Sequence, residues 1–215
     1  MKNLNVNLML LVVAICALLS FNPINANADT VNLTLETVGG QSAGPYVYPY
    51  YFSIDGASTP TPLMCLSYFE EIYFGEFWEA TIAPSSSSAQ YEEAAYIFSL
   101  AAAPGASATT IADAQWANWE LFEPDSASDL PSSMNQSDIT TLLDNAAAYV
   151  ANNPDSSLYA NYQVYIPVSG TQSEGGTPQV FMGDLAPSPE PGSLILLGSG
   201  LLGIAGFVYR RRRIA

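Results

Sequence analysis

Apolar and polar residues alternate along VNLTLETV (31–38), where Val31, Leu33 and Leu35 share one side of an extended chain. That is the period of a half-buried strand, and the GGQSAGP that follows predicts a loop. YVYPYYFSI (46–54) is rich in aromatic and β-branched residues and predicts a second strand, with Pro49 placing it at an edge or breaking it. LMCLSYF (63–69) and EFWEATI (76–82) predict two more short strands, joined by a turn near Gly75.

The period then lengthens. SSAQYEEAAYIFSLAAAP (87–104) repeats Tyr91, Ala94, Ala95, Phe98 and Ala102 at helical intervals and stops at Pro104-Gly105. ATTIADAQWANWELFEP (108–124) predicts a second helix, whose stripe runs through Ile111, Ala114, Gln115, Asn118, Leu121 and Phe122. SDITTLLDNAAAYVANNP (137–154) predicts a third, with Ser137 as N-cap and Asn152-Asn153-Pro154 as its stop. Aromatic and β-branched residues return in LYANYQVYIPV (158–168), and PQVFM (178–182) is short and apolar. The SSSS run (85–88) and DSASDLPSSMNQS (125–137) read as polar loops. Strands, then helices, then strands predict an α+β domain over residues 29–186, an antiparallel sheet with about three helices beside it.

The two ends have a different character. MKNLNVNLMLLVVAICALLSFNPINANA carries Lys2, an apolar run from Leu8 to Leu19, and Ala26 and Ala28 around Asn27. This is the layout of a secretory signal peptide (1–28) cut by signal peptidase after Ala28. At the other end, Pro187, Pro189 and Pro191 stiffen the approach to Gly192, and Ser193 to Tyr209 is uncharged. As a helix that segment would be about 26 Å long, enough to cross a bilayer core. Arg210, Arg211, Arg212 and Arg213 follow it and predict a cytoplasmic stop, with the body outside.

Charge narrows the partners. The sequence holds 20 acidic and 5 basic residues and no His. The basic ones are Lys2 and the four tail arginines, so the exported body has neither Lys nor Arg. Nucleic acid is excluded as a partner, because binding to phosphates rests on Lys and Arg. His-based triads, Lys Schiff bases and His-ligated zinc are excluded by the same count. A body without those groups reads as non-enzymatic, with no cofactor and no metal.

Pro189-Glu190-Pro191-Gly192, a Gly-rich apolar span and a terminal Arg cluster, in that order, resemble the PEP-CTERM sorting signal of Gram-negative bacteria (residues 189–213). The resemblance implies recognition by an exosortase, which removes the span near the motif. Proteins of this kind accompany exopolysaccharide and biofilm production, so a place at the cell surface or in its polysaccharide matrix is expected. The membrane would hold the body only until processing.

Cys16 leaves with the signal peptide, so Cys65 is the one cysteine of the body, in a compartment where cysteines usually pair. Gln115 shares a core-facing stripe, where an unpaired amide costs about 1–3 kcal/mol. Cys65 in PLMCLSYF, with Ala114-Gln115-Trp116-Ala117 and Trp119 in AQWANW, resembles the Cys-Gln thioester domain of bacterial surface adhesins. There the family has a cysteine on an early strand and a Thr-Gln-x-Ala motif before a Trp-containing helix. Ala114 replaces the threonine, and Leu66-Ser67 follows the cysteine where an acidic residue is common. The resemblance implies a Cys65–Gln115 thioester able to acylate a partner. Without it, Cys65 is a small buried hydrophobe and Gln115 a hydrogen-bonded core amide.

Other chemistry is thinner. Glu70 with Glu71, or Glu92 with Glu93, offers paired carboxylates for a surface hydrolase, but adjacent side chains diverge on strands and helices. Glu70 and Glu71 would also raise the pKa of Cys65 if they stood near it. Asp125, Asp129 and Asp138 lack EF-hand spacing. The many tyrosines and tryptophans suggest a non-covalent glycan platform, although YVYPYYF has the look of strand packing.

Overall fold

Six strands form β1 (Thr30–Gln41), β2 (Tyr46–Ile54), β3 (Thr61–Cys65), β4 (Phe77–Pro84), β5 (Tyr162–Pro167) and β6 (Phe181–Asp184). Three α-helices lie between β4 and β5: α1 (Ala89–Ala101), α2 (Ala108–Phe122) and α3 (Gln136–Asn152). The computed structural model describes residues 30–41, 45–173 and 178–185. The predicted signal peptide (1–28) and sorting segment (187–215) lie outside the described residues. Among those described, no helix is long and apolar enough to cross a membrane.

The fold is mixed α+β with antiparallel strands, and the sheet closes on itself as a barrel in the order β1-β2-β3-β6-β5-β4. β1 is the closing strand. It pairs with β4 from Thr30 to Thr34 and with β2 from Leu33 to Gln41. Register shifts between Leu35 and Thr37 and between Val38 and Gly40 bend it, as bulges do, and a bent strand can serve two neighbours at once. Closure leaves no edge for Pro49 to mark. From Tyr50 to Phe52 β2 pairs on both sides, and its Tyr46–Pro49 and Ser53–Ile54 ends run beyond the pairs made with β3. The Tyr48–Pro49 peptide is cis, and a Cβ on the facing Gly39 would come within 2.8 Å of Pro49 Cγ.

Phe52, Trp78 and Phe181 come from β2, β4 and β6, which are never neighbours, so their rings meet only across the barrel interior. Their centroids are 4.6 to 6.2 Å apart. Gly183 yields space to this core, since a Cβ there would lie 2.3 Å from Leu63 Cδ2. The helices cover one side of the barrel. Phe98 of α1 meets Tyr48 and Tyr162 edge-on, and Tyr96 stacks on Tyr149 of α3 at 4.6 Å.

Several boundaries differ from the sequence expectation. The third strand stops at Cys65 rather than at Phe69, because the backbone groups after it are captured by other partners, described below. The strand expected from Leu158 begins at Tyr162, after a 3-10 turn at Tyr159–Asn161. The two polar loops each contain a 3-10 turn, Ser85–Ser87 and Pro124–Asp129. α3 is capped by Asn135, whose side chain accepts from Ser137 N–H, so Ser137 lies inside the helix. α2 is buried well beyond its predicted stripe: Trp116, Ala117 and Trp119 are as covered as Ala114, Gln115 and Asn118, while Ile111, Leu121 and Phe122 are half-buried.

Candidate functional site

The β2–β3 register runs Tyr50↔Leu63, Tyr51↔Pro62, Phe52↔Thr61. Continued by two residues, it would set Tyr48 opposite Cys65. The structure puts a side chain there instead. The Gln115 carboxamide enters from α2, its Oε1 accepting from Tyr48 N–H at 3.2 Å and its Nε2 donating to the Cys65 carbonyl at 2.6 Å. It stands between the strands as a peptide unit would, and satisfies two backbone groups that the end of the ladder leaves over. Cys65 and Gln115, fifty residues apart, are thus brought together with both fully buried.

The sulfur has its own surroundings. Cys65 Sγ–H donates to the Ser67 carbonyl at 2.9 Å. Burial pushes the thiol up to about 12; the Trp119 indole and the Ser67 backbone pull it part of the way back, and Glu123 and Glu70 oppose them. The Trp119 N–H approaches the sulfur without completing a hydrogen bond of ordinary geometry. One turn along α2, Asn118 Nδ2 donates to Met64 Sδ at 2.8 Å while its Oδ1 is buried without a partner. At neutral pH the thiol is therefore protonated, held in an apolar pocket roofed by α2.

The segment after Cys65 is strapped down from two sides. Leu66 N–H donates to the Val180 carbonyl at 2.8 Å, Val180 N–H to Ser67 Oγ at 3.1 Å, and Gln179 Nε2 to the Glu70 carbonyl. From the end of α2, Glu123 Oε2 accepts from the N–H groups of Tyr68 and Phe69. These bonds use the groups that would have extended β3. Beyond them the loop exposes Phe69, Tyr73 and Phe74, and Phe77 and Tyr46 stand exposed nearby in the fold, Tyr46 and Phe74 meeting with centroids 6.4 Å apart.

Carboxylates pair differently from the sequence expectation. Glu70 faces Glu123, not Glu71, which turns outward to accept from Tyr73 OH at 3.0 Å. Glu70 is raised above the ordinary carboxylate range by burial first and by Glu123 second. Its Oε2 is buried without a hydrogen-bond partner. Beside burial, the main cause, it is Glu123 with Glu70 that adds to the raised Cys65 thiol. Asp125, Asp129 and Asp138 are not gathered: among the described residues no group of three or more His, Cys, Asp or Glu is placed to hold a metal ion.

A cavity of about 530 Å³ opens where the β1–β2 end meets the first turns of α2 and α3. Tyr48 and Pro49 line it, with Asp113 and Asp138 on the opposite wall. Tyr48 is thus part of the cavity wall while its N–H holds Gln115. Tyr48 and Glu123 were not singled out from the sequence. Pro49 within a strand pattern was the only signal for the first, and an acid closing a helix was none for the second.

Residues 189–213 match the PEP-CTERM protein-sorting motif. No curated protein and no solved structure matches the chain. The match stops short of the body, so the resemblance to a thioester domain rests on its own residues. What the motif carries is the address: an exported protein, sorted at the membrane with an exosortase as processing partner, and bound for the cell envelope or surface.

Proposed function

We propose that this envelope-sorted protein is a structural or adhesive component of the surface or its polysaccharide matrix in a Gram-negative bacterium, and that it attaches through an internal Cys65–Gln115 thioester rather than by catalysing turnover. The observation that carries the reading is the hydrogen bond from the Gln115 carboxamide to the backbone carbonyl of Cys65, the two residues lying buried together in a site roofed by α2. Signal peptidase and then exosortase would deliver the body without its terminal segments.

The chemistry balances without a cofactor. The Cys65 sulfur adds to the Gln115 carboxamide carbon, the C–N bond breaks, and ammonia leaves carrying the thiol proton. A nucleophile on a partner would later take the acyl group and return the thiol. Burial that makes Cys65 a poor thiolate also keeps water from the product, so a thioester is slow to form and long-lived once made. The carboxyl pair Glu70–Glu123 does not line the cavity and serves the loop, whereas the carboxylates that do line it are Asp113 and Asp138.

Intact mass of the purified body tests the reading. A deficit of about 17 Da, one ammonia, that is absent in Cys65→Ala supports it. A full mass in protein from native cells sinks it. A second reading, a non-covalent glycan module, is favoured by the exposed Phe69, Phe74 and Phe77 rather than by YVYPYYF, whose Tyr48 and Tyr50 are packed. Binding to native polysaccharide that persists in Cys65→Ala and is lost in Phe74→Ala would select it.

A further inference from the structure

We infer that the backbone N–H of Tyr48 is the group that stabilises negative charge on the Gln115 carbonyl oxygen when that carbonyl is attacked, and that Gly39 positions it. The inference rests on the thioester reading above and adds the group that would drive it.

Four observations converge. Tyr48 N–H already points at Gln115 Oε1, at 3.2 Å. It is free to do so because the β2–β3 pairs end at Tyr50. The other end of the carboxamide is fixed by the Cys65 carbonyl at 2.6 Å, so the carbonyl cannot swing away from Tyr48. Finally, Gly39 lies against Pro49 so closely that a Cβ would come within 2.8 Å of Pro49 Cγ and 3.1 Å of its Cδ. The absence of that Cβ lets Pro49, and Tyr48 before it, sit against β1.

The electrostatics follow. When sulfur attacks, the carbonyl oxygen gains charge and moves toward an alkoxide. The body has no Lys, Arg or His to meet that charge. Fixed dipoles must do so, and a backbone donor in a dry site is strongest where charge develops. As the tetrahedral intermediate collapses, the C–N bond breaks, the sulfur's proton leaves with ammonia, and the oxygen returns to a carbonyl still bonded to Tyr48. When an amine later attacks the thioester, the same oxygen charges again, the C–S bond breaks, and the proton lost by the amine ends on Cys65.

Gly39→Ala displaces the N–H without altering Cys65 or Gln115. Purified bodies are treated with methylamine, and loss of the thioester is followed by intact mass. Gly39→Ala should react on the order of tenfold to a hundredfold more slowly than wild type, short of the full loss of one oxyanion donor. Equal rates in Gly39→Ala and wild type overturn the inference. A wild type with no ammonia deficit fails the thioester reading itself and takes this inference with it. If Gly39→Ala does not fold, wild-type protein carrying carbon-13 at the glutamine carboxamide carbon is read by infrared. A thioester carbonyl stretch lower than in an S-acyl glutathione standard is expected, and an unshifted one overturns the assignment.

Discussion

Glu123, the residue that ends α2, holds the N–H of Tyr68 on a single carboxylate oxygen at 2.5 Å, and with it that of Phe69 at 3.0 Å. A helix end thereby fixes the loop that leaves Cys65, and the loop in turn fixes where β3 stops. Removing the carboxylate strands two backbone donors. Glu123→Ala should lower unfolding free energy by about 1–3 kcal/mol in urea denaturation, and an unchanged midpoint would show that the loop is held elsewhere.

Stability should fall as pH rises. Glu70, Glu93, Asp113, Glu120 and Asp184 all lie above the ordinary carboxylate range, burial being the first cause in each. A carboxyl whose folded pKa is raised binds its proton more tightly in the folded state. Its contribution is fully present below the unfolded pKa and is lost as pH rises through the folded one. The thermal midpoint should therefore be higher at pH 5 than at pH 7.5. The difference should survive in 0.5 M salt, which screens the general repulsion of a chain with net charge −15 but not the burial of Glu70. Glu123→Gln should shrink it, since an amide beside Glu70 donates to the carboxylate; a larger difference would count against the pairing.

Gln115 closes a gap between strands. Gln115→Ala leaves Tyr48 N–H and the Cys65 carbonyl buried and unpaired, which should cost about 2–5 kcal/mol. Urea unfolding measures it, and a loss below about 0.5 kcal/mol would mean water fills the place of the amide at no cost.

Gly183 is needed for its missing side chain. A methyl group there would meet the fully buried Leu63, so Gly183→Ala should destabilise by about 1–3 kcal/mol. Gly183→Ala combined with Leu63→Val should recover part of the loss, and no recovery would place the cost in the backbone instead.

β6 ends on the side of the barrel away from Cys65. Cys65 pairs with Phe181 at the start of β6, whereas Leu185, whose N–H donates to Asn161 at 2.9 Å, follows its far end. Only Ala186, Pro187 and Ser188 separate Leu185 from the motif. The mature surface form should end near Pro189–Gly192 and lack Arg210 to Arg213, as read by C-terminal peptide mass. Detection of those arginines on the mature form would contradict processing.

The order of elements was legible along the chain, because a period of two and a period near 3.6 are local properties. β1, β2, β4 and all three helices fall where alternation and capping residues place them, to within a few residues. The tail was legible for a similar reason: Pro189-Glu190-Pro191, an uncharged span and four arginines form a pattern in linear order, and residues 189–213 match the sorting motif.

What only the tertiary structure decided depends on register and on contacts far apart in sequence. No local pattern says that β1 bends to meet β4 and close the barrel, or that β3 ends because Glu123 and Gln179 take its next backbone groups. Nor does the glutamate pattern reveal that Glu70 faces Glu123 rather than Glu71. The Tyr48 N–H carries no side-chain signature at all. It reaches Gln115 because a strand pair runs out two residues early, and that is a property of how β2 lies against β3, not of either strand alone.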